Sequence, residues 1–212
     1  MKTPENEEEP VVFIIDDDES LRNALERLFR MVGLRAKTFG TTSEFLRSNL
    51  QDAPSCLVLD VRLPGTSGLD FQAELTKADI KIPIIFMTGY GDIPMTVKAM
   101  KAGALEFLPK PFNDQDMLDS VHIALQRDRT RRHEERANLQ LRKNIERLSP
   151  REREVMAFVT AGFLNKQIAA ELGLAEITVK RHRGSLMRKM HVRSLAELAR
   201  IAELLGISRP RS

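Results

Sequence analysis

The sequence predicts an α/β protein with a doubly wound parallel sheet, joined to a small all-α domain. Three observations carry this. Over residues 11–126, five short apolar runs alternate with helix-spaced segments, the pattern of strands buried on both faces between crossover helices. From Ser149 onward the pattern changes to short helices opened by capping boxes. The charge also divides: residues 1–126 carry 13 Lys and Arg against 20 Asp and Glu, residues 127–148 carry 8 against 4, and residues 149–212 carry 12 against 6. The formal net charge of +3 therefore conceals an acidic half and a basic half. Such a basic half suits nucleic acid, though acidic lipids or acidic proteins would also attract it.

With 42% hydrophobic and 30% charged residues, the 212-residue chain has the composition of a soluble globular protein with room for two domains. Its single cysteine, Cys56, excludes an internal disulfide and a paired-cysteine zinc site. Residues 1–10 are acidic and apolar-poor and read as a disordered lead-in. They lack the layout of a signal peptide, and no apolar run reaches membrane-spanning length, so the expected setting is cytoplasmic with no membrane partner.

Val11–Ile15 is a continuous apolar run ending in Asp16, Asp17 and Asp18. Ser20 is placed to cap the following helix, whose Leu21, Leu25, Leu28, Phe29 and Val32 keep helical spacing until Gly33. Ala36–Phe39 is a short strand, and Ser43 opens a helix with Phe45 and Leu46. Cys56–Asp60 is the organising strand, closed by Pro64 and Gly65. Helix 69–75, strand 82–88, helix 94–100 and strand 104–108 follow, and then a helix after Asn113 turns Met117, Leu118, Val121 and Leu125 inward.

Residues 127–136 are helix-compatible without an apolar face, which marks a solvated connector. Leu139, Leu141, Ile145 and Leu148 restore apolar content, either as a coiled contact between two copies or as a helix end tucked onto the next domain. Ser149-Pro150-Arg151-Glu152 opens a helix to Ala161, Asn165 caps a second to Leu172, residues 178–190 form a third, and Ser194 to Glu197 begins a fourth. The short turn at Gly173 between the second and third gives helix-turn-helix geometry.

The carboxylates of Asp16, Asp17 and Asp60 share one edge of the sheet with the Thr88 hydroxyl and the Lys110 ammonium, the edge where open α/β sheets collect ligands. Carboxylates that close repel one another, and oxygen-only ligands favour Mg²⁺. A carboxylate nucleophile with a metal, a hydroxyl and a lysine suits aspartyl phosphate formation. Each group also has a plainer use, as a helix cap, a loop anchor or surface charge. Their common edge is what makes the joint reading stronger than the single ones.

These residues carry a resemblance. Residues 11–126, through Ile15-Asp16-Asp17, Leu59 to Gly65, Met87-Thr88-Gly89 and Phe107 to Phe112, resemble the receiver domain of two-component response regulators. Residues 148–208, through Leu148 to Val155, Asn165 to Ala169 and Thr178 to His182, resemble the LuxR-type DNA-binding domain, with residues 127–147 as a basic helical linker; the combination resembles a FixJ-type regulator. The resemblance implies a flavodoxin-like sheet of order 2-1-3-4-5, with Asp60 as phosphoacceptor for a histidine kinase. Asp17, Asp60 and the Arg62 carbonyl become Mg²⁺ ligands, and Asp16 their outer acidic partner. Thr88 and Lys110 become the phosphoryl-sensing groups and Phe107 the switch aromatic. It also implies a cis Lys110–Pro111 peptide, and no enzymatic activity beyond self-phosphorylation and slow autodephosphorylation. A homodimer on phosphorylation, through a face with Lys98, Lys101 and Glu106, is implied as well, along with RNA polymerase as a partner in activating transcription.

On the third basic helix, Val179, Leu186 and Met190 make a buried stripe. Lys166 and Thr178 are then candidates for phosphate contacts on double-stranded DNA, and Lys180, Arg181, Arg183, Gly184 and Arg188 are left outward, with Lys180, Arg181 and Gly184 nearest the base edges. A phosphatase of the haloacid-dehalogenase type would want a second Asp where Arg62 stands. An RNA-binding antiterminator and a DNA-binding protein indifferent to phosphorylation are the remaining alternatives.

Overall fold

The computed structural model describes residues 9–50, 52–89 and 93–207. Residues 1–8 of the expected lead-in, and residue 208 at the end of the expected last domain, lie outside these. The chain divides into two compact units, residues 1–133 and 134–212.

The first unit is a five-stranded parallel sheet of order β2-β1-β3-β4-β5. Its elements are β1 (Val11–Ile15), α1 (Glu19–Met31), β2 (Arg35–Phe39), α2 (Thr42–Arg47), β3 (Ser55–Asp60), α3 (Gly68–Lys77), β4 (Ile84–Thr88), α4 (Ile93–Lys101), β5 (Glu106–Pro109) and the part of α5 (Asp114–Glu146) up to residue 133. The central strands β1, β3 and β4 are buried along their whole length, which is why they are continuous apolar runs rather than alternating ones.

Alternation survives in which layer each side chain enters. Phe13, Ile15, Leu57, Leu59 and Phe86 pack with Phe45, Phe71 and Leu75 of α2 and α3. Val12, Ile14, Val58, Ile85 and Met87 pack on the other face with Leu25, Phe29, Met117 and Val121 of α1 and α5. Edge-to-face pairs Phe13–Phe45 and Phe45–Phe71, with centroids at 5.4 and 5.9 Å, lock the first layer.

Several boundaries differ from the expected ones for local reasons. Asp18, not Ser20, caps α1, accepting from the backbone N–H groups of Ser20 and Leu21 at 2.8 and 3.2 Å. Thr41, not Ser43, caps α2, accepting from Glu44 N–H. β4 begins at Ile84, because Pro83 has no N–H to give to a ladder, although its carbonyl still accepts from Leu57 N–H at 2.9 Å.

The largest departure is in α5. Its segment after Gln126 has no apolar face, yet it does not simply run through solvent. Asp128 is 0% exposed and accepts from the backbone N–H of Ser55 at 2.9 Å and from the guanidinium groups of Arg131 and Arg132. Arg132 also reaches Asp52. A polar clamp therefore does what an apolar face was expected to be needed for.

The second unit contains α6 (Pro150–Thr160), α7 (Asn165–Leu172), α8 (Glu176–Lys189) and α9 (Leu195–Leu204) around a core of Val155, Met156, Ile168, Val179, Leu186, Met190 and Leu198. Leu148 is buried in this core, with Leu141 and Ile145 packed against it, as in the helix-end alternative, whereas Leu139 is exposed. The Ser149 capping box forms in both directions, with Pro150 at the first helical position. Asn165 is the first residue of α7 rather than its cap, and Leu164 N–H is met by the Gln167 side chain instead. Gly173 takes a left-handed φ of +65°, which ends α7 and leaves the short turn before α8.

Candidate functional site

The carboxyl ends of β1, β3 and β4 and the loop after β5 meet at one edge of the sheet. Asp60 ends β3 at 6% exposure, Asp16 follows β1 at 1%, and Thr88 ends β4 fully buried. Asp17 is exposed, and one carboxylate oxygen from each of Asp16, Asp17 and Asp60 lies within 4.8 Å of the others. Lys110 is the counter-ion: its Nζ is 2.6 Å from Asp16 Oδ2 and 3.1 Å from Asp60 Oδ1.

The backbone fixes these groups. Lys110 N–H donates to the Thr88 carbonyl at 2.6 Å, and Val61 N–H to the Met87 carbonyl at 3.0 Å. The Lys110–Pro111 peptide is cis, as the resemblance implies. Arg22 of α1 donates to the Asp16 carbonyl, and Asp16 Oδ1 accepts from Asp18 N–H.

Burial raises the Asp60 carboxyl above its ordinary value against the pull of Lys110, with Asp16 adding to the rise. Burial pushes Lys110 the other way, but its bonds and charge contacts with Asp16 and Asp60 outweigh this and hold it above its usual range. Lys110 pairs with two of the three clustered carboxylates, Asp16 and Asp60, so the cluster has excess negative charge and an all-oxygen donor set. That composition fits a hard divalent cation, as acidic residues of receiver domains do for Mg²⁺.

Phe107 of β5 is half-buried, its ring centroid 6.2 Å from that of Phe86. Gly68, the first residue of α3, closes the loop after Asp60, and its sequence context gives it no further role. A Cβ there would stand 2.4 Å from the Asp60 carbonyl oxygen and 3.1 Å from Val61 Cα. The helix thus approaches the end of β3 as closely as glycine allows. Its only trace in the sequence was the Ser67 cap beside it, which also explains α3 but not the close contact.

In the second unit, Lys166, Lys180, Arg181, Gly184 and Arg188 are exposed, and Thr178 is half-buried in the first turn of α8. A Cβ on Gly184 would meet open space. Arg183 departs from the outward placement expected of it: it is half-buried, and its guanidinium donates to Asn165 Oδ1. Residue 183 lies between the buried and outward stripes of α8, so it ties α8 to α7.

The response regulator receiver domain family matches residues 12–122, and the bacterial regulatory proteins of the luxR family match residues 146–202. The chain belongs to the two-component response regulators. This response regulator is 59% identical to Nodulation protein W of Bradyrhizobium diazoefficiens over 93% of its own length and 87% of that protein's. It is 39% identical to the transcriptional regulatory protein FixJ of Azorhizobium caulinodans, over 93% of both. Among solved structures it is similar to the response regulator StyR, at 47% identity and a TM-score of 0.86, covering 93% of this chain and 100% of that one. The response regulator joins a receiver domain to a LuxR-type DNA-binding domain and regulates transcription.

Proposed function

We propose that Asp60 accepts a phosphoryl group from a histidine kinase and that the resulting charge switches the second domain's use of DNA. The observation that carries this reading is the Lys110 ammonium set between Asp60 and Asp16, at 3.1 and 2.6 Å, at the edge where β3 presents a buried carboxylate. An Asp60 oxygen attacks the phosphorus of a phosphohistidine, the phosphorus–nitrogen bond breaks, and the imidazole leaves with that electron pair. Lys110 stabilises the charge on the transferred group and Thr88 meets one of its oxygens. Phe107 follows Thr88 by changing its packing, since a phenylalanine has no hydroxyl to bond with.

Asp17, Asp60 and the Arg62 carbonyl are the proposed holders of Mg²⁺, with Asp16 beside them. A bound Mg²⁺ supplies charge neutralisation at the phosphoryl oxygens. Residues 1–10 serve as a lead-in, 11–126 as the receiver, 127–147 as the linker and 148–208 as the DNA-binding domain. The protein acts in the cytoplasm, with no catalysis beyond its own phosphorylation and slow autodephosphorylation.

Phosphorylation promotes a homodimer through the face that carries Lys98, Lys101 and Glu106. This pairs two basic domains on two half-sites of double-stranded DNA and supports activation through RNA polymerase. Lys166 and Thr178 hold phosphates, while Lys180, Arg181, Gly184 and Arg188 line the DNA side of α8. Arg183 contributes by holding α8 against Asn165. Sedimentation with and without Mg²⁺ and beryllofluoride, on wild type and Asp60→Asn, tests the switch. A ligand-dependent dimer in wild type alone is expected, and no change in either protein would refute it.

A further inference from the structure

Helix α8 has one outward stripe at helical spacing: Ile177, Arg181, Gly184 and Arg188, with Lys180 beside it, all exposed. Four of these five suit phosphates or a close backbone approach. Ile177 does not: it is 73% exposed, and the core of its own unit, which takes in Val179, Leu186 and Met190 of the same helix, leaves it out. An isoleucine contributes nothing to attraction for phosphates. A single exposed isoleucine is ordinary on a protein surface; its place in the first turn of α8, among Lys180, Arg181 and Arg188, is what sets it apart.

The N-terminal residues of the second helix of a helix-turn-helix are those that reach base edges. Along the major groove those edges present hydrogen-bonding atoms and one apolar group, the C5 methyl of thymine. We propose that Ile177 packs on a thymine methyl in the major groove and so sets the sequence preference of this domain at one position of each half-site. The inference rests on α8 being the helix that enters the groove. Lys180 and Arg181 flank Ile177 and draw the helix end onto the duplex. Glu176, the neighbouring acid, is paired with Lys180 at 3.5 Å on the helix surface.

The test uses the full chain with Mg²⁺ and beryllofluoride. Binding sites are selected from a pool of random duplexes, and each thymine of the selected site is then replaced in turn by deoxyuridine, which removes the methyl and keeps the base pairing. Wild type should lose about fourfold in affinity per half-site at one thymine position, the worth of one buried methyl. Ile177→Ala should melt at the wild-type temperature, bind the thymine duplex as weakly as wild type binds the deoxyuridine one, and show no deoxyuridine effect there. Selected sites without a thymine that responds, or a deoxyuridine effect that persists in Ile177→Ala, would overturn the proposal while leaving α8 in the groove. Enrichment of no sequence at all would overturn both.

Discussion

Ser55 donates its backbone N–H to the buried Asp128 carboxylate at 2.9 Å, so the strand that ends in Asp60 begins on the helix that leaves the receiver. The two ends of β3 thus serve different purposes. One presents the buried Asp60 carboxylate at the sheet edge, and the other anchors α5 beyond the apolar turn that ends at Leu125. Removing the Asp128 carboxylate leaves the Ser55 N–H without its acceptor and takes one partner each from Arg131 and from Arg132, which still reaches Asp52. Asp128→Ala should therefore cost about 3 kcal/mol in urea unfolding, with amide exchange rising first at residues 127–133. A loss under about 0.5 kcal/mol, the range of ordinary surface substitutions, would show the clamp to be ornamental.

The clamp also bears on Cys56, which follows Ser55 in β3. Burial, and then the negative charge of Asp128, push its thiol far above its ordinary value. Native protein at pH 8 should leave Cys56 unalkylated by iodoacetamide, with labelling tracking global unfolding across a urea series. Rapid labelling of folded protein would contradict this.

Much of this architecture was legible in the sequence, and the residues show why. Strands β1, β3 and β4 announce themselves as apolar runs that stop at Asp16, Asp60 and Thr88, because a strand buried on both faces must be apolar throughout and its end must be polar. Asp16, Asp60 and Lys110 come together as expected, since their places at strand ends follow from topology. What was not legible depends on distances between segments far apart in the chain. Asp128 meets Ser55 across 73 positions, and nothing in the pattern of residues 127–136 marks one acid as buried. Arg183 turned to Asn165 for the same reason, at the border between two helix faces.

Gly68 gives a second local test. An alanine Cβ would overlap the Asp60 carbonyl, so either α3 or the end of β3 must move. Gly68→Ala should lower stability by about 1–3 kcal/mol and slow phosphorylation of Asp60 by acetyl phosphate. Wild-type stability and rate together would show that the close approach is not needed.

In the second unit, Glu152 is nearly buried and is held at about 2 in spite of that burial by Lys189, Ser185 and Ser149. The Lys189 ammonium lies 2.6 Å away. Because the folded value lies below the ordinary glutamate value of 4.5, the folded state binds this proton less readily than the unfolded one. The stabilisation is present above about pH 4.5 and lost as pH falls toward about 2. Glu152→Gln should cost about 1–3 kcal/mol at pH 7 and flatten the acid dependence of amide exchange in α6 and α8. An unchanged acid profile in the variant would contradict the assignment.

The acidic cluster makes its own prediction about metal. Three carboxylates each place an oxygen within 4.8 Å of the others and Lys110 pairs with two of them, so Mg²⁺ should raise the melting temperature of the wild type by mass action. Asp60→Asn removes one buried charge from that cluster. It should melt higher than wild type in EDTA, because burial and Asp16 disfavour the charged carboxylate there, and respond less to Mg²⁺. Equal Mg²⁺ responses would place the ion elsewhere.

The most direct test of the central claim is to find where the phosphoryl group goes. Wild type incubated with acetyl phosphate and Mg²⁺, trapped by borohydride and analysed by peptide mass spectrometry, should carry a single modification at Asp60. That modification should be absent in EDTA and in Asp60→Asn. Label on another residue, or equal label in the presence of EDTA, would contradict the account.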